Sequence, residues 1–281
     1  MGTTMPPIKP GCHNFNLTLR VPEGEETVYV DKFFEDHQAF MRSTHGNPSK
    51  EPFCLMYIVT KTPESKEDGS TTGNNLYALT ETYQGTEGCE AHMAAGKNYQ
   101  KKEGEDHGAL FGTFLDIVSK YAIASVMAAE VVRTMSDPLL GAMDAVKANC
   151  RAFNLSFKVP DEETPEVDAF FEAHKAFMDE THPVDFGDVE PMVLFYTVTK
   201  TPELADPGGD PSKGTTGNTL YALTEIYRGL EGCEAHMAAG KKYQKKEGED
   251  HGQLFATFLS VVEKYATATS MMAPVIAAMH D

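Results

Sequence analysis

Residues 73–108 read GNNLYALTETYQGTEGCEAHMAAGKNYQKKEGEDHG, and residues 217–252 read GNTLYALTEIYRGLEGCEAHMAAGKKYQKKEGEDHG. The two stretches lie 144 residues apart and differ at five of 36 positions. A repeat with so long a period indicates two copies of a small domain rather than the short units of a solenoid. The sequence therefore predicts a tandem duplication, with a first domain at 12–132, a linker at 133–149 and a second domain at 150–281.

The composition is typical of a globular protein. The chain has 281 residues, of which 41% are hydrophobic and 23% are charged, so each predicted domain is long enough to bury a core. Its formal net charge is −18. This charge argues against nucleic-acid binding, because a nucleic-acid site needs a basic face; a solvated acidic surface accounts for it.

Two further observations concern location. The sequence has no run of eighteen apolar residues, and its first ten residues, MGTTMPPIKP, lack the apolar core of a signal peptide. The five cysteines, an odd number in a chain of this length, predict reduced thiols rather than a disulfide framework. We expect a soluble intracellular protein that is located in the cytoplasm and does not bind a membrane.

Outside the repeat, both halves begin with a strand and a helix. Residues 15–21 alternate between apolar and polar side chains, as in a half-buried strand. In the helix that follows, Phe33, His37 and Met41 share one face at helical spacing. Eleven of the sixteen residues in 30–45 recur in the second copy, at 167–182.

Further along the first half, strand signals occur at 53–60 and 76–83, helix signals at 87–102 and 110–121, and a strand signal at 122–132. Each copy thus reads β-α-β-β-α-(α)-β, the ferredoxin-like pattern of an α+β protein. A sheet with helices on one side must cover its other face. We therefore expect the two domains to pack sheet to sheet, as a pseudo-dimer within one chain. This arrangement is compatible with further association of whole chains into a homo-oligomer.

The segment Leu-Tyr-Ala-Leu-Thr-Glu-x-Tyr-x-Gly-x-Glu-Gly-Cys-Glu-Ala-His-Met, present in both copies, resembles the antibiotic-biosynthesis-monooxygenase (ABM) type of dimeric α+β barrel. In that family a strand with Glu-x-Tyr leads into a helix with Glu-Ala-His. The matching residues here are Glu81, Tyr83, Glu90 and His92, and in the second copy Glu225, Tyr227, Glu234 and His236. The resemblance implies an intramolecular dimeric α+β barrel with a pocket between the sheet and the helices of each domain.

The resemblance also implies a function. Members of the family include cofactor-free oxygenases of aromatic polyketides or quinols, haem-degrading enzymes and proteins with no known chemistry. We expect a monooxygenase that acts on a small aromatic or quinol-type molecule; the alternatives are a haem-binding barrel and a non-enzymatic protein that binds a small molecule or a larger assembly. The chain has no tryptophan, a pocket residue of haem-degrading relatives. It also has no Gly-rich phosphate loop, so no nucleotide cofactor is expected.

Histidines are the candidate catalytic residues. The residues concerned are His37 and His174 on the first helix of each copy, and His92 and His236 in the repeat. An imidazole is a natural general base for a phenolic proton. Glu81 or Glu225 could orient His92 or His236, as the third group of such a site. The alternative for all four is a structural histidine that bonds to a backbone carbonyl, a tyrosine or a carboxylate.

Other residues are candidates for lining the pocket. They are Tyr57, Tyr83, Glu81 and Phe33, with their counterparts Tyr196, Tyr227, Glu225 and Phe170; core packing is the alternative for the tyrosines. His45 and His182 end the first helix of each copy, where a cationic imidazole suits the helix dipole. His37 and His45 lie two helical turns apart, which is a poor spacing for chelation. No metal site is predicted.

Overall fold

The computed structural model describes residues 7–66, 68–101, 104, 106–135, 146–182, 191, 193–206, 211–245 and 250–279. The first half contains β1 (His13–Pro22), α1 (Glu25–Thr44), β2 (Cys54–Ser65), β3 (Thr71–Tyr83), α2 (Thr86–Asn98), α3 (Ala109–Tyr121) and β4 (Ala122–Thr134). The second half contains β5 (Arg151–Pro160), α4 (Thr164–Thr181), β6 (Val193–Leu204), β7 (Thr215–Tyr227), α5 (Leu230–Lys242), α6 (Gln253–Tyr265) and β8 (Ala266–Ala278). This order of elements agrees with the β-α-β-β-α-(α)-β pattern predicted for each copy.

The eight strands form one closed antiparallel barrel with helices around it. The strand order is β1-β3-β2-β8-β5-β7-β6-β4, and β4 pairs with β1 to close the barrel. The prediction of two ferredoxin-like domains packed sheet to sheet as an α+β barrel is therefore wrong. The strands of the two halves are hydrogen-bonded edge to edge in a single sheet instead of facing each other across a sandwich.

Strands β4 and β8 close the barrel because each pairs with both halves. Residues Ala122–Glu130 of β4 pair with β1, and Glu130–Thr134 pair with Thr197–Lys200 of β6. In the same way β8 pairs first with β5, and its last part, Val275–Ala278, pairs with Ile58–Thr60 of β2. Each edge strand thus obtains backbone hydrogen bonds from the other half instead of remaining exposed.

Alternation along the strands separates the barrel interior, which contains both polar side chains and a further apolar cluster, from the apolar layer beneath the helices. In β1, Phe15 and Leu17 belong to the apolar core that α1 covers. Asn16 lies between them and faces the opposite way. Its Nδ2 donates to Thr80 and to Thr224, at 3.1 and 3.2 Å. Because Thr224 is on β7, which is not a neighbour of β1, this bond crosses the barrel interior and ties the two halves together.

One apolar core lies under the helices of each half. All five cysteines are buried thiols, as their odd number predicts. None of the described helices is long and apolar enough to cross a bilayer. Residues 136–145 of the predicted linker lie outside the described ranges, so the domain boundaries stay a prediction, as does the cytoplasmic location.

Candidate active site

His37 is placed in the first apolar core by helix α1. The buried face of this helix consists of Val30, Phe33, Phe34, His37, Phe40 and Met41. The His37 ring stacks on Phe33 with 5.4 Å between ring centroids, and 6% of the residue is exposed. Its Nδ1 lies 3.3 Å from the hydroxyl of Tyr57 on β2. A polar side chain therefore occupies the middle of an otherwise apolar helix face.

Glu81 comes to the same place from strand β3. It lies on the side of the strand that faces the helices and is 1% exposed. Tyr83 donates its hydroxyl proton to Oε2 of Glu81 at 2.7 Å. Oε1 accepts no hydrogen bond from the described residues. Burial raises the pKa of the Glu81 carboxyl to about 7, and the Tyr83 hydrogen bond opposes that shift only in part.

His92 from helix α2 completes the cluster. Its Nε2 lies 3.5 Å from Oε2 of Glu81, and Nε2 of His37 lies 3.5 Å from Oε1. Burial lowers the pKa of His92 to about 4. It also lowers the pKa of His37, as do the neighbouring His92 and His45. At neutral pH both imidazoles are uncharged, so neither contact is an ion pair.

A chain of hydrogen bonds fixes the tautomer of His92. Thr44 donates its hydroxyl proton to the carbonyl of Phe40 at 2.7 Å, so its Oγ1 accepts from Nδ1–H of His45, at 2.6 Å. Neutral His45 then carries its only proton on Nδ1 and accepts at Nε2 from Nδ1–H of His92, 2.9 Å away. Consequently Nε2 of His92 carries a lone pair, and this lone pair is directed towards Glu81.

The second half repeats this arrangement. Nε2 of His174 and of His236 lie 3.6 and 3.7 Å from the Glu225 carboxylate. His236 Nδ1 lies 2.9 Å from His182 Nε2, and Thr181 fixes the His182 tautomer in the way that Thr44 fixes that of His45. Burial raises the pKa of Glu225 to about 7. It lowers the pKa of His174 to about 4 and also that of His236.

A small cavity adjoins each cluster. In the first half it measures about 30 Å³ and is lined by His37, Glu81 and His92 among apolar side chains. The apolar lining includes Phe15, Leu79, Met93, Leu110, Phe111 and Phe114. The cavity of the second half has the same volume and is lined by His174, Glu225 and His236. A space of this size holds about one or two water molecules.

The candidate residues from the sequence fall into two groups. The four catalytic candidates, both glutamates and Phe33 line the cavities. The tyrosines lie behind the clusters: Tyr57 contacts Nδ1 of His37, and Tyr83 contacts Glu81; Tyr196 and Tyr227 make the same contacts in the second half. Phe170 lies beside its cavity and stacks on the His174 ring at 5.7 Å.

His45 and His182 have a different role from the one their position at the helix end suggests. Both are buried, and burial lowers the pKa of each to about 3. They are therefore neutral, and the expectation of a cation that interacts with the helix dipole is wrong. Each orients the histidine of the next helix, a contact that sequence spacing does not reveal. The only sequence signal is that both recur in the more divergent first helix.

No family model matches the chain, and no curated protein matches its sequence. Among solved structures, the chain is similar to a "putative monooxygenase" from Fusobacterium nucleatum subsp. nucleatum, with 11% identity, 96% of this chain and 95% of the other covered, and a TM-score of 0.48. A protein of the same description from Lactobacillus acidophilus has 10% identity, 96% and 94% coverage and a TM-score of 0.43. An aldoxime dehydratase in complex with butyraldoxime has 10% identity, 94% and 79% coverage and a TM-score of 0.27. At these values, the function has to be argued from the site itself.

Proposed function

We propose that the chain is a monooxygenase that oxidises a small hydroquinone-type molecule with O2, at one buried cluster in each half, without a nucleotide cofactor. The observation that carries this proposal is the placement of the Glu81 carboxyl and the Nε2 lone pair of His92 on one apolar cavity. The apolar wall suits an aromatic ring once the cavity has widened, and the polar groups suit the hydroxyl from which the ring loses a proton.

The pKa values favour a particular division of roles. A general base is most effective when its pKa lies near the working pH. Glu81, with a pKa of about 7, meets this condition better than His92, whose pKa is about 4. In the proposed mechanism the Glu81 carboxylate accepts the phenolic proton. This assignment replaces the histidine base expected from the sequence.

The proposed reaction balances without an external reductant. One hydroquinone and one O2 give one hydroxyquinone and one water, so the substrate supplies all of the electrons. Loss of the phenolic proton makes the ring electron-rich, and O2 then oxidises it. Exclusion of water by the apolar wall would limit side reactions of the reduced oxygen species.

Entry of an aromatic ring requires the cavity to widen, because about 30 Å³ is too small for one. Helix α3 is the wall that we propose to move. Its Leu110, Phe111 and Phe114 line the cavity but are only partly buried, and Ile117 is the one fully buried residue of the helix. By contrast, α1 has six buried residues. Few buried contacts mean that displacement of α3 costs less than displacement of α1.

Oxygen uptake tests the proposal. Wild-type protein is mixed with a panel of hydroquinones and naphthalene-1,4-diols in an oxygen electrode, with catalase present to remove any hydrogen peroxide. We expect a saturable rate above that of buffer for at least one diol, and no uptake with its dimethyl ether, which has no ionisable hydroxyl. Uptake at the buffer rate for every diol would contradict the proposal.

A further inference from the structure

We propose that His37, Glu81 and His92 together bind one divalent transition-metal ion, and that His174, Glu225 and His236 bind a second. The inference rests on the proposed function only for the chemistry that the ion would serve; binding itself follows from the geometry of the clusters. In each trio the donor atoms lie within 4.8 Å of one another. Neighbouring ligands about 2.1 Å from a common ion are themselves about 3–4 Å apart, and the imidazole–carboxylate distances are 3.5 Å in the first half.

The outer nitrogen of each histidine is already engaged, as ligating histidines require. Metal-bound imidazoles almost always use their second nitrogen in a hydrogen bond that fixes the ring. Nδ1 of His92 donates to His45 at 2.9 Å, and Nδ1 of His37 contacts the Tyr57 hydroxyl at 3.3 Å. In both rings this leaves Nε2 directed at the cluster. For His92, the hydrogen-bond chain through Thr44 leaves Nε2 deprotonated, which is the state that a metal ion needs.

Glu81 supplies the third donor and an independent reason for a cation. Its Oε1 is buried and accepts no hydrogen bond from the described residues. A buried carboxylate oxygen without a partner costs free energy that a bound ion would offset. None of the lysine and arginine ion pairs of the described residues involves Glu81 or Glu225. The ionisable side chains whose nitrogens lie near these two carboxylates are the histidines.

The donor set indicates which ion each cluster would bind. Two imidazoles and one carboxylate, with coordination positions left open, are the ligands of non-haem iron(II) oxygenases. Here the rest of the cavity wall is apolar, and the roughly 30 Å³ beside the donors leaves room for water or O2 but offers no further ligand. We therefore assign iron(II) as the ion that the clusters bind in the active protein. An ion at this place lowers the pKa of a hydroxyl bound to it, so deprotonation of the substrate would then depend on the ion rather than on free Glu81.

Cobalt(II) provides a direct probe of binding. Chelator-treated wild-type protein is titrated with cobalt(II) under argon, and the visible d–d absorption is recorded. We expect two equivalents per chain, one equivalent for Glu81→Gln or Glu225→Gln alone, and none for the double variant. The matched control is His107→Gln/His251→Gln, which removes two exposed histidines and should still bind two. In the single variants the unchanged half serves as an internal standard for folding.

Wild-type protein alone supplies a second measurement. Cobalt(II) shifts the proton resonances of its ligands, so exchangeable imidazole N–H signals from two histidines per site should appear far outside the normal range. Absence of these signals, or cobalt binding that the double glutamine variant retains, would overturn the inference. The two proposals fail separately: wild-type protein that takes up oxygen but binds no cobalt overturns the metal site, whereas stoichiometric cobalt binding without any oxygen uptake by iron-loaded protein overturns the proposed function.

Discussion

Replacement of both Glu81 and Glu225 by glutamine is expected to reduce oxygen uptake with a hydroquinone to the rate of buffer. Glutamine keeps the shape of the side chain and can still accept the Tyr83 or Tyr227 hydrogen bond, but it cannot accept a proton. Loss of a general base typically lowers a rate by about 10²–10⁴-fold. Because each half has its own cluster, Glu81→Gln or Glu225→Gln alone should retain about half of the wild-type kcat, with KM unchanged.

The control for this experiment comes from helices α2 and α5. Glu90 and Glu234 precede His92 and His236 by two residues, and both are exposed. The variant Glu90→Gln/Glu234→Gln removes the same two charges from the same part of the fold and should keep full activity. A double Glu81/Glu225 variant that oxidises hydroquinones as fast as this control would show that the reaction occurs elsewhere.

The second large effect is on stability and depends on pH. Burial raises the pKa of Glu81 and Glu225 from 4.5 to about 7. Between these two values the folded protein binds more protons at these sites than the unfolded chain, so their contribution to stability falls as the pH rises through this window. The shift corresponds to roughly 3 kcal/mol for each glutamate. The variant Glu81→Gln/Glu225→Gln has no carboxyl at these sites, so it does not lose this stability as the pH rises.

We therefore expect the free energy of unfolding of Glu81→Gln/Glu225→Gln, relative to wild type, to increase by about 3 kcal/mol per site between about pH 4.5 and pH 8. Denaturant titrations in the presence of a chelator measure this difference. The buried histidines have lowered pKa values and contribute stability that is lost as the pH falls below 6.5, but both proteins contain them and their effect cancels. A difference that does not change with pH would contradict the assignment of Glu81 and Glu225 as buried, uncompensated carboxyls.

Local sequence patterns predict the elements of this fold well, but not how the two halves join. The alternation in residues 15–21 predicts β1, and even the Ala-rich segment 122–132 is correctly predicted as a strand. The pairing of strands between the two halves could not be predicted from these patterns, because β4 continues past β1 and pairs with β6. Side-chain alternation indicates that a segment is a strand; it does not indicate which strand pairs with the second part of it.

The same limit applies to the candidate site. The Phe-rich face of α1 predicts that His37 is buried, and the resemblance of the repeat motif suggests that Glu81 lies near His92. That His37, Glu81 and His92 all meet at one place depends on the tertiary structure, because they lie on α1, β3 and α2. The proposed metal site escaped prediction for this reason: the sequence shows only that His37 and His45 are poorly spaced for chelation, whereas the proposed histidine ligands lie 55 positions apart in the first half and 62 in the second. The prediction of no metal site is thus replaced by the proposal of a bound ion.

The measurement that tests the central claim most directly is the incorporation of ¹⁸O from ¹⁸O2 into the product of hydroquinone oxidation, with immediate reduction to the triol to prevent exchange. If the buried His–Glu–His clusters are the reacting sites, wild-type protein yields a triol with one ¹⁸O atom, and Glu81→Gln/Glu225→Gln yields none. An unlabelled quinone with release of hydrogen peroxide, or equal labelling by the double variant, would contradict the account.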